Sequence, residues 1–196
     1  SLVKLVTAMV TLDLVKPTDL LRVHKEATLE EPTILKAKEG EEFTVDELLI
    51  ALLVYSANDA AEILADQIGQ KIEGDRKIFI DLMNEKIKRL GLTNTNFANP
   101  SGIDDIRQFS TVRELSVITQ YALNNYPDIA KIVKIKDYIF TKNNYHEKYS
   151  IVNWNSLIGI YPGVVGVKIG HTESSGHSTI VLSEREGEKI MIVLIG

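Results

Sequence analysis

The chain has 196 residues, of which 44% are hydrophobic and 25% charged, ordinary usage for a soluble globular domain. That balance excludes a disordered tail, a collagen-like repeat and a coiled coil. Twenty-two Lys and Arg against 27 Asp and Glu leave a net charge of −5, which carries no bulk signal for nucleic acid. With no cysteine, disulfide frameworks, thiolate nucleophiles and Cys-rich zinc sites are excluded outright. No apolar run approaches the ~20 residues of a membrane span. The chain opens at Ser1 rather than Met, so it is read as a processed or excised segment whose targeting sequence, if any, lies upstream.

Residues 1–16 are expected to form a helix. Leu2, Val3, Leu5, Val6, Ala8, Met9, Val10, Leu12, Leu14 and Val15 cover nearly its whole circumference, which predicts a buried helix, and Pro17 closes it. Residues 18–43 carry scattered charge and Gly40 and read as loops with short extended pieces. Thr44-Val-Asp-Glu47 is a capping box opening a strongly apolar helix over 45–55. A second amphipathic helix is expected over 59–68, with Gly69 as its stop, and a third over 75–90, ended by Gly91. Thr111-Val-Arg-Glu114 reads as another capping box, opening a helix to about residue 124, and Pro127 starts a short further turn.

From Lys136 onward the period turns strand-like. Segments 137–141 and 146–152 flank Asn143-Asn144, a hairpin signal, and 164–170, 177–183 and 189–195 are three more strands. Helices first and an antiparallel sheet afterwards define an α+β class. Residues 1–196 are expected to form a single domain.

Ser1-Leu-Val-Lys4 places a hydroxyl and an amine one helical turn apart on one face. A serine at a helix start gains from unpaired N–H groups and the positive end of the dipole, both of which favour a developing oxyanion. A desolvated lysine on the same face can take the serine proton, because burial disfavours the ammonium form. Ser-x-x-Lys is common by chance, and alone it reads as an N-cap serine followed by a solvated lysine. Two further features change that reading. Ser56-Ala-Asn58, between two helices, can present a second hydroxyl and an amide. Lys168-Ile-Gly170 lies on a strand and is followed by His171 and Thr172.

In order and spacing these three elements resemble the Ser-x-x-Lys, Ser-x-Asn and Lys-Thr-Gly signature of penicillin-binding proteins and class A β-lactamases. The likeness extends to the D-alanyl-D-alanine carboxypeptidases, the low-molecular-mass penicillin-binding proteins. It is carried by Leu53–Ala61, Met83-Asn84, Leu90-Gly-Leu92, Asn94–Pro100, Gly102-Ile-Asp104, Ser110-Thr111, Asn153-Trp-Asn-Ser-Leu157 and Tyr161–Thr172, and so covers essentially the whole chain.

The resemblance implies a β-lactamase or transpeptidase-like fold, a helical cluster packed on an antiparallel sheet. It also implies that 1–196 is a catalytic core lacking the family's N-terminal strands and any C-terminal domain. Ser1 is then the acyl-forming nucleophile and Lys4 its general base. Ser56 and Asn58 complete the proton relay and hold the substrate amide. Lys168 orients substrate beside Gly170, His171 and Thr172, with the backbone N–H groups of Ser1 and His171 as the oxyanion hole. The implied substrate is a peptidoglycan stem peptide ending in D-Ala-D-Ala, with β-lactams as covalent inhibitors of the same serine. No cofactor or metal is implied. The location is extracytoplasmic in a bacterium, with any peripheral membrane anchor outside this segment.

Ile169 departs from the family pattern, which usually has Thr there. Losing that hydroxyl weakens recognition of the terminal carboxylate, with Thr172 a possible substitute, and leaves open a catalytically weak relative that binds peptidoglycan or β-lactam without useful turnover. A third reading makes the free amine of Ser1 the base of an N-terminal-serine hydrolase. A full β-lactamase is disfavoured, because no second carboxylate motif for fast deacylation is evident. No Gly-x-Ser-x-Gly elbow, His-Glu-x-x-His or Gly-x4-Gly-Lys-Ser/Thr loop occurs. His24 and His146, among polar neighbours, are expected at the surface, and Trp154 is expected in a cleft wall.

Overall fold

The computed structural model describes residues 1–29, 33–72 and 74–196. The central element is α1 (Lys4–Leu14), in which Leu5, Val6, Ala8 and Met9 are wholly buried. Complete burial of an apolar side chain contributes about 1.5–3 kcal/mol, so α1 stabilises the fold through every face, as its all-round apolar pattern predicts. It contacts α3 (Asn58–Ile72), α4 (Arg76–Arg89), α5 (Val112–Asn125) and α6 (Pro127–Ile132).

Strands β1 (Leu20–Arg22) and β2 (Glu42–Thr44) pair antiparallel and lead into α2 (Val45–Ile50). The predicted capping box is complete: the Thr44 hydroxyl accepts from the Glu47 N–H at 3.2 Å, and the Glu47 carboxylate accepts from the Thr44 N–H at 2.8 Å. The helix expected over 45–55 does not stay α-helical; Ala51–Tyr55 widens into a π-helical turn. β3 (Asp137–Phe140) and β4 (Tyr149–Val152) form the predicted hairpin. The last three strands, β5 (Val164–Thr172), β6 (Gly176–Arg185) and β7 (Glu188–Leu194), form one antiparallel sheet in the order β5-β6-β7. Among the described residues, no helix is long and apolar enough to cross a membrane.

Three further expectations are corrected. Gly69 does not stop its helix, which runs on to Ile72. A Cβ on Gly69 would lie 2.4 Å from the Asp75 carbonyl oxygen, so this glycine serves close approach of the turn into α4 rather than termination. The second capping box is only half formed. Thr111 caps α5 through the Glu114 N–H, but the buried Glu114 carboxylate turns away from the cap to the backbone N–H groups of Thr93 and Asn94 and the hydroxyl of Thr95. His146 is not at the surface. It stacks on Phe43 with ring centroids 4.5 Å apart, its side chain is fully buried, and Nε2 lies 3.1 Å from Glu47. A ring with two satisfied nitrogens packs like an aromatic despite polar sequence neighbours.

Candidate active site

Ser1 sits at the mouth of the helix that buries Lys4. The Lys4 side chain has no solvent exposure, and its ammonium nitrogen donates to Asn58 Oδ1 at 2.7 Å and to the Ser101 carbonyl oxygen. Burial lowers the Lys4 pKa to about 7, with Glu62 and Asp59 opposing the shift. Removal from water penalises the charged form more than these carboxylates restore it. The lysine is therefore desolvated, as the acyl-transfer reading requires, and not a solvated surface group.

The π-helical turn delivers Ser56 in a left-handed conformation (φ +66°, ψ +30°). That sharp reversal sets Ser56 and Asn58 side by side at the end of one helix and the start of the next. Ser56 is buried, and its hydroxyl has no hydrogen-bond partner among the described residues. The Asn58 backbone N–H donates to the Thr33 carbonyl at 2.7 Å, tying the loop down.

On the opposite wall, β5 is an edge strand. Lys168 is buried and its amine donates to the Ile169 carbonyl at 2.8 Å. Burial, and after it the Lys4 charge, hold the Lys168 pKa well below its usual value. Lys4 and Lys168 are thus within electrostatic reach of each other, and a proton on one disfavours a proton on the other. Gly170 presses directly on the serine: a Cβ there would lie 2.5 Å from Ser1 Cβ and 3.2 Å from Ser1 Oγ. The Ser1 nitrogen donates to the Gly102 carbonyl at 3.3 Å.

Two cavities meet at Ser1. The larger, about 550 Å³, is lined by Ser1, Ser56, Trp154, Ile169, Gly170 and His171, among others. Trp154 is held across it by an indole N–H bond of 2.8 Å to the Tyr55 carbonyl and by stacking on the Tyr55 ring. The smaller cavity, about 160 Å³, includes Ser1, Gly102, Asp104, Gln108, Thr172 and Ser175. The Thr172 hydroxyl lies 2.5 Å from that of Ser175 and bonds the Asp104 carboxylate, holding the Asp104 pKa low.

Of the residues singled out in the sequence, Ser1, Ser56, Gly170 and His171 line the larger cavity, and Ser1, Gly170, His171 and Thr172 line the smaller. Lys4 and Asn58 are hydrogen-bonded to each other, and Lys168 is buried on β5 within electrostatic reach of Lys4. The sequence reading missed the Ser101 carbonyl, a backbone acceptor invisible to residue type. It also missed the acids Asp59 and Glu62, whose only signal was their position just after Asn58.

A helical cluster with Ser-x-x-Lys at the head of its central helix, facing an edge strand that carries Lys-x-Gly, is the penicillin-binding, DD-peptidase fold. The sequence matches the family model described as D-alanyl-D-alanine carboxypeptidase over residues 1–196, and the chain belongs to that family. It is 31% identical over 183 residues to the D-alanyl-D-alanine carboxypeptidase DacF of Bacillus subtilis, covering 93% of this chain and 45% of the relative. It is 30% identical over 207 residues to DacC of Escherichia coli, covering 100% of this chain and 50% of the relative. The chain thus spans about half the length of these curated relatives. Among solved structures, the Streptomyces DD-transpeptidase superposes with TM-score 0.90 at 27% identity, covering 100% of this chain and 79% of that one. A Mycobacterium tuberculosis D-alanyl-D-alanine carboxypeptidase gives 0.88 at 30% identity, covering 100% and 72%.

Proposed function

We propose that residues 1–196 carry the catalytic unit of a serine D-Ala-D-Ala carboxypeptidase that trims peptidoglycan stem peptides outside the cytoplasm and is acylated by β-lactams. The observation that carries this reading is the buried Lys4 amine, with a pKa near 7, one turn from a serine pressed against Gly170.

In this reading the neutral Lys4 amine accepts the Ser1 hydroxyl proton as Oγ bonds to the carbonyl carbon of the penultimate D-alanine. The carbonyl oxygen gains the negative charge, and the backbone N–H groups of Ser1 and His171 are the candidate donors to it. Collapse breaks the C–N bond. The proton passes from Lys4 through the Ser56 hydroxyl to the leaving amine, and free D-alanine departs. That the buried Ser56 hydroxyl is committed to no other group among the described residues supports that relay. Water then attacks the ester with Lys4 again taking a proton, which releases the shortened peptide and restores Ser1. Asn58 holds Lys4 in register, and Lys168 with Gly170, His171 and Thr172 orients the peptide along β5.

The test is D-alanine release from a diacyl-Lys-D-Ala-D-Ala peptide by the full-length protein. Release that disappears in Ser1→Ala supports the reading, and its absence in the unsubstituted protein counts against it. Ile169 motivates a second reading, a relative that acylates but turns over slowly. Its side chain lines the large cavity where a hydroxyl is usual, and Thr172 is already engaged by Asp104. Covalent penicillin labelling without D-alanine release favours that reading.

A further inference from the structure

Glu62 lies on α3 one turn beyond Asn58, so both side chains leave the same face of the helix. Asn58 accepts from Lys4, and Glu62 is buried behind it at 6% exposure. Its Oε2 accepts from Arg76 Nε at 2.6 Å. Arg76 opens α4, and its side chain is 41% exposed beside a cavity of about 440 Å³ that it shares with His24, Asp66 and Gln70. Glu62 lines the same cavity, with its carboxylate buried and the Arg76 guanidinium turned towards solvent.

The charged groups acting on Lys4 come from α3, from β5 and from the chain just before α1. α3 supplies Glu62 and Asp59, β5 supplies Lys168, and beside them the Ser1 amine also repels a charge on Lys4. Asn58 and Ser101 offer it only neutral oxygens. The Asp59 carboxylate is committed to the backbone N–H groups of Leu35, Lys36 and Ala60. Among the described residues Glu62 bonds no backbone group of that kind, and its effect on Lys4 is the larger of the two.

We infer that Glu62, clamped by Arg76, is a positioning residue for the proposed acylation: without touching substrate, it sets the charge that the Lys4 amine carries. The inference rests on the Ser1–Lys4 reading given under Proposed function. A buried anion near an amine favours the protonated form. Glu62 therefore keeps Lys4 from losing its proton too early, so that the amine can both accept a proton from Ser1 and return one to the leaving group. An amine made too acidic would be a poor acceptor.

The experiment measures the second-order rate of penicillin acylation of the full-length protein from about pH 5 to about pH 9, across the range in which a lysine near 7 titrates. Four variants accompany the unsubstituted protein: Glu62→Gln, Glu62→Met, Glu62→Asp, and Asp66→Asn as a reference one turn further along α3. Removal of the charge moves the rising limb to lower pH by about one unit, so Gln and Met acylate about fivefold faster than the unsubstituted protein near pH 6. The high-pH plateau stays within about twofold of the unsubstituted protein in both. Asp returns the limb towards its original place, and Asp66→Asn leaves it unmoved. Either neutral variant suffices if the other fails to fold. A limb that stays in place in a folded neutral variant, or a lowered plateau with the limb unmoved, overturns the inference. Absence of any Ser1 adduct in the unsubstituted protein defeats the acylation reading itself, which separates the two failures.

Discussion

Gly170 on the edge strand and Ser1 at the head of the central helix are in direct contact, with no room for even a methyl group between them. The strand that carries Lys168 is thereby placed against the residue it is proposed to serve. Gly170→Ala would put a Cβ 2.5 Å from Ser1 Cβ, so either β5 or the helix start must shift. The expected result is loss of penicillin acylation by at least about 100-fold, since a displacement of about 1 Å has that effect on positioned groups. Stopped-flow acylation checks the rate, and circular dichroism checks that the fold persists.

Ser56→Ala separates catalysis from stability. The buried hydroxyl bonds nothing among the described residues, so its removal breaks no hydrogen bond. A buried polar group without a partner costs about 1–3 kcal/mol, so thermal stability should be unchanged or higher. Acylation should fall by about 100-fold or more if the hydroxyl relays the proton. Parallel melting and acylation measurements decide, and a destabilised but fully active variant contradicts the relay.

The Lys4 pKa of about 7 fixes the sign of two pH effects. A general base acts when neutral, so acylation rises with pH through about 7 and then levels off. For stability, the folded-state pKa lies below the usual 10.5, so between those values the unfolded chain binds more protons. The Lys4 contribution to stability therefore increases as pH rises from about 7 towards 10.5. Acylation rates across this range check the first effect, and chemical denaturation checks the second.

Much of the fold could be read directly, because it rests on local pattern. The all-round apolar face of α1 foretold its burial, and the Thr44–Glu47 box foretold the start of α2. The parts that could not be read depend on tertiary partners. Nothing in Ala51–Tyr55 distinguishes a π turn from an α turn, yet that widening presents Ser56. Gly69 has the residue type of a helix stop but serves a close approach to Asp75. Glu114 has the spacing of a cap but is drawn to the 93–95 loop. The site residues were legible as motifs, whereas the acceptor at Ser101 and the acid at Glu62 depend on where chain segments meet in space.

Ile169→Thr tests the departure in the third motif. A hydroxyl facing the large cavity adds a donor for the terminal carboxylate, and a hydrogen bond to a charged group is worth about 1.5–3 kcal/mol. KM for a diacyl-Lys-D-Ala-D-Ala peptide should therefore fall about tenfold or more, with a smaller change in kcat. Steady-state D-alanine release measures both, and an unchanged KM places the carboxylate elsewhere in the cleft.

The most direct test of the account is mass spectrometry of the full-length protein after penicillin treatment, with peptide mapping of the adduct. The account predicts one penicilloyl group on the peptide that contains Ser1, lost in Ser1→Ala and strongly reduced in Lys4→Ala. An adduct on any other residue, or none on protein that is folded at a pH above the Lys4 transition, would contradict it.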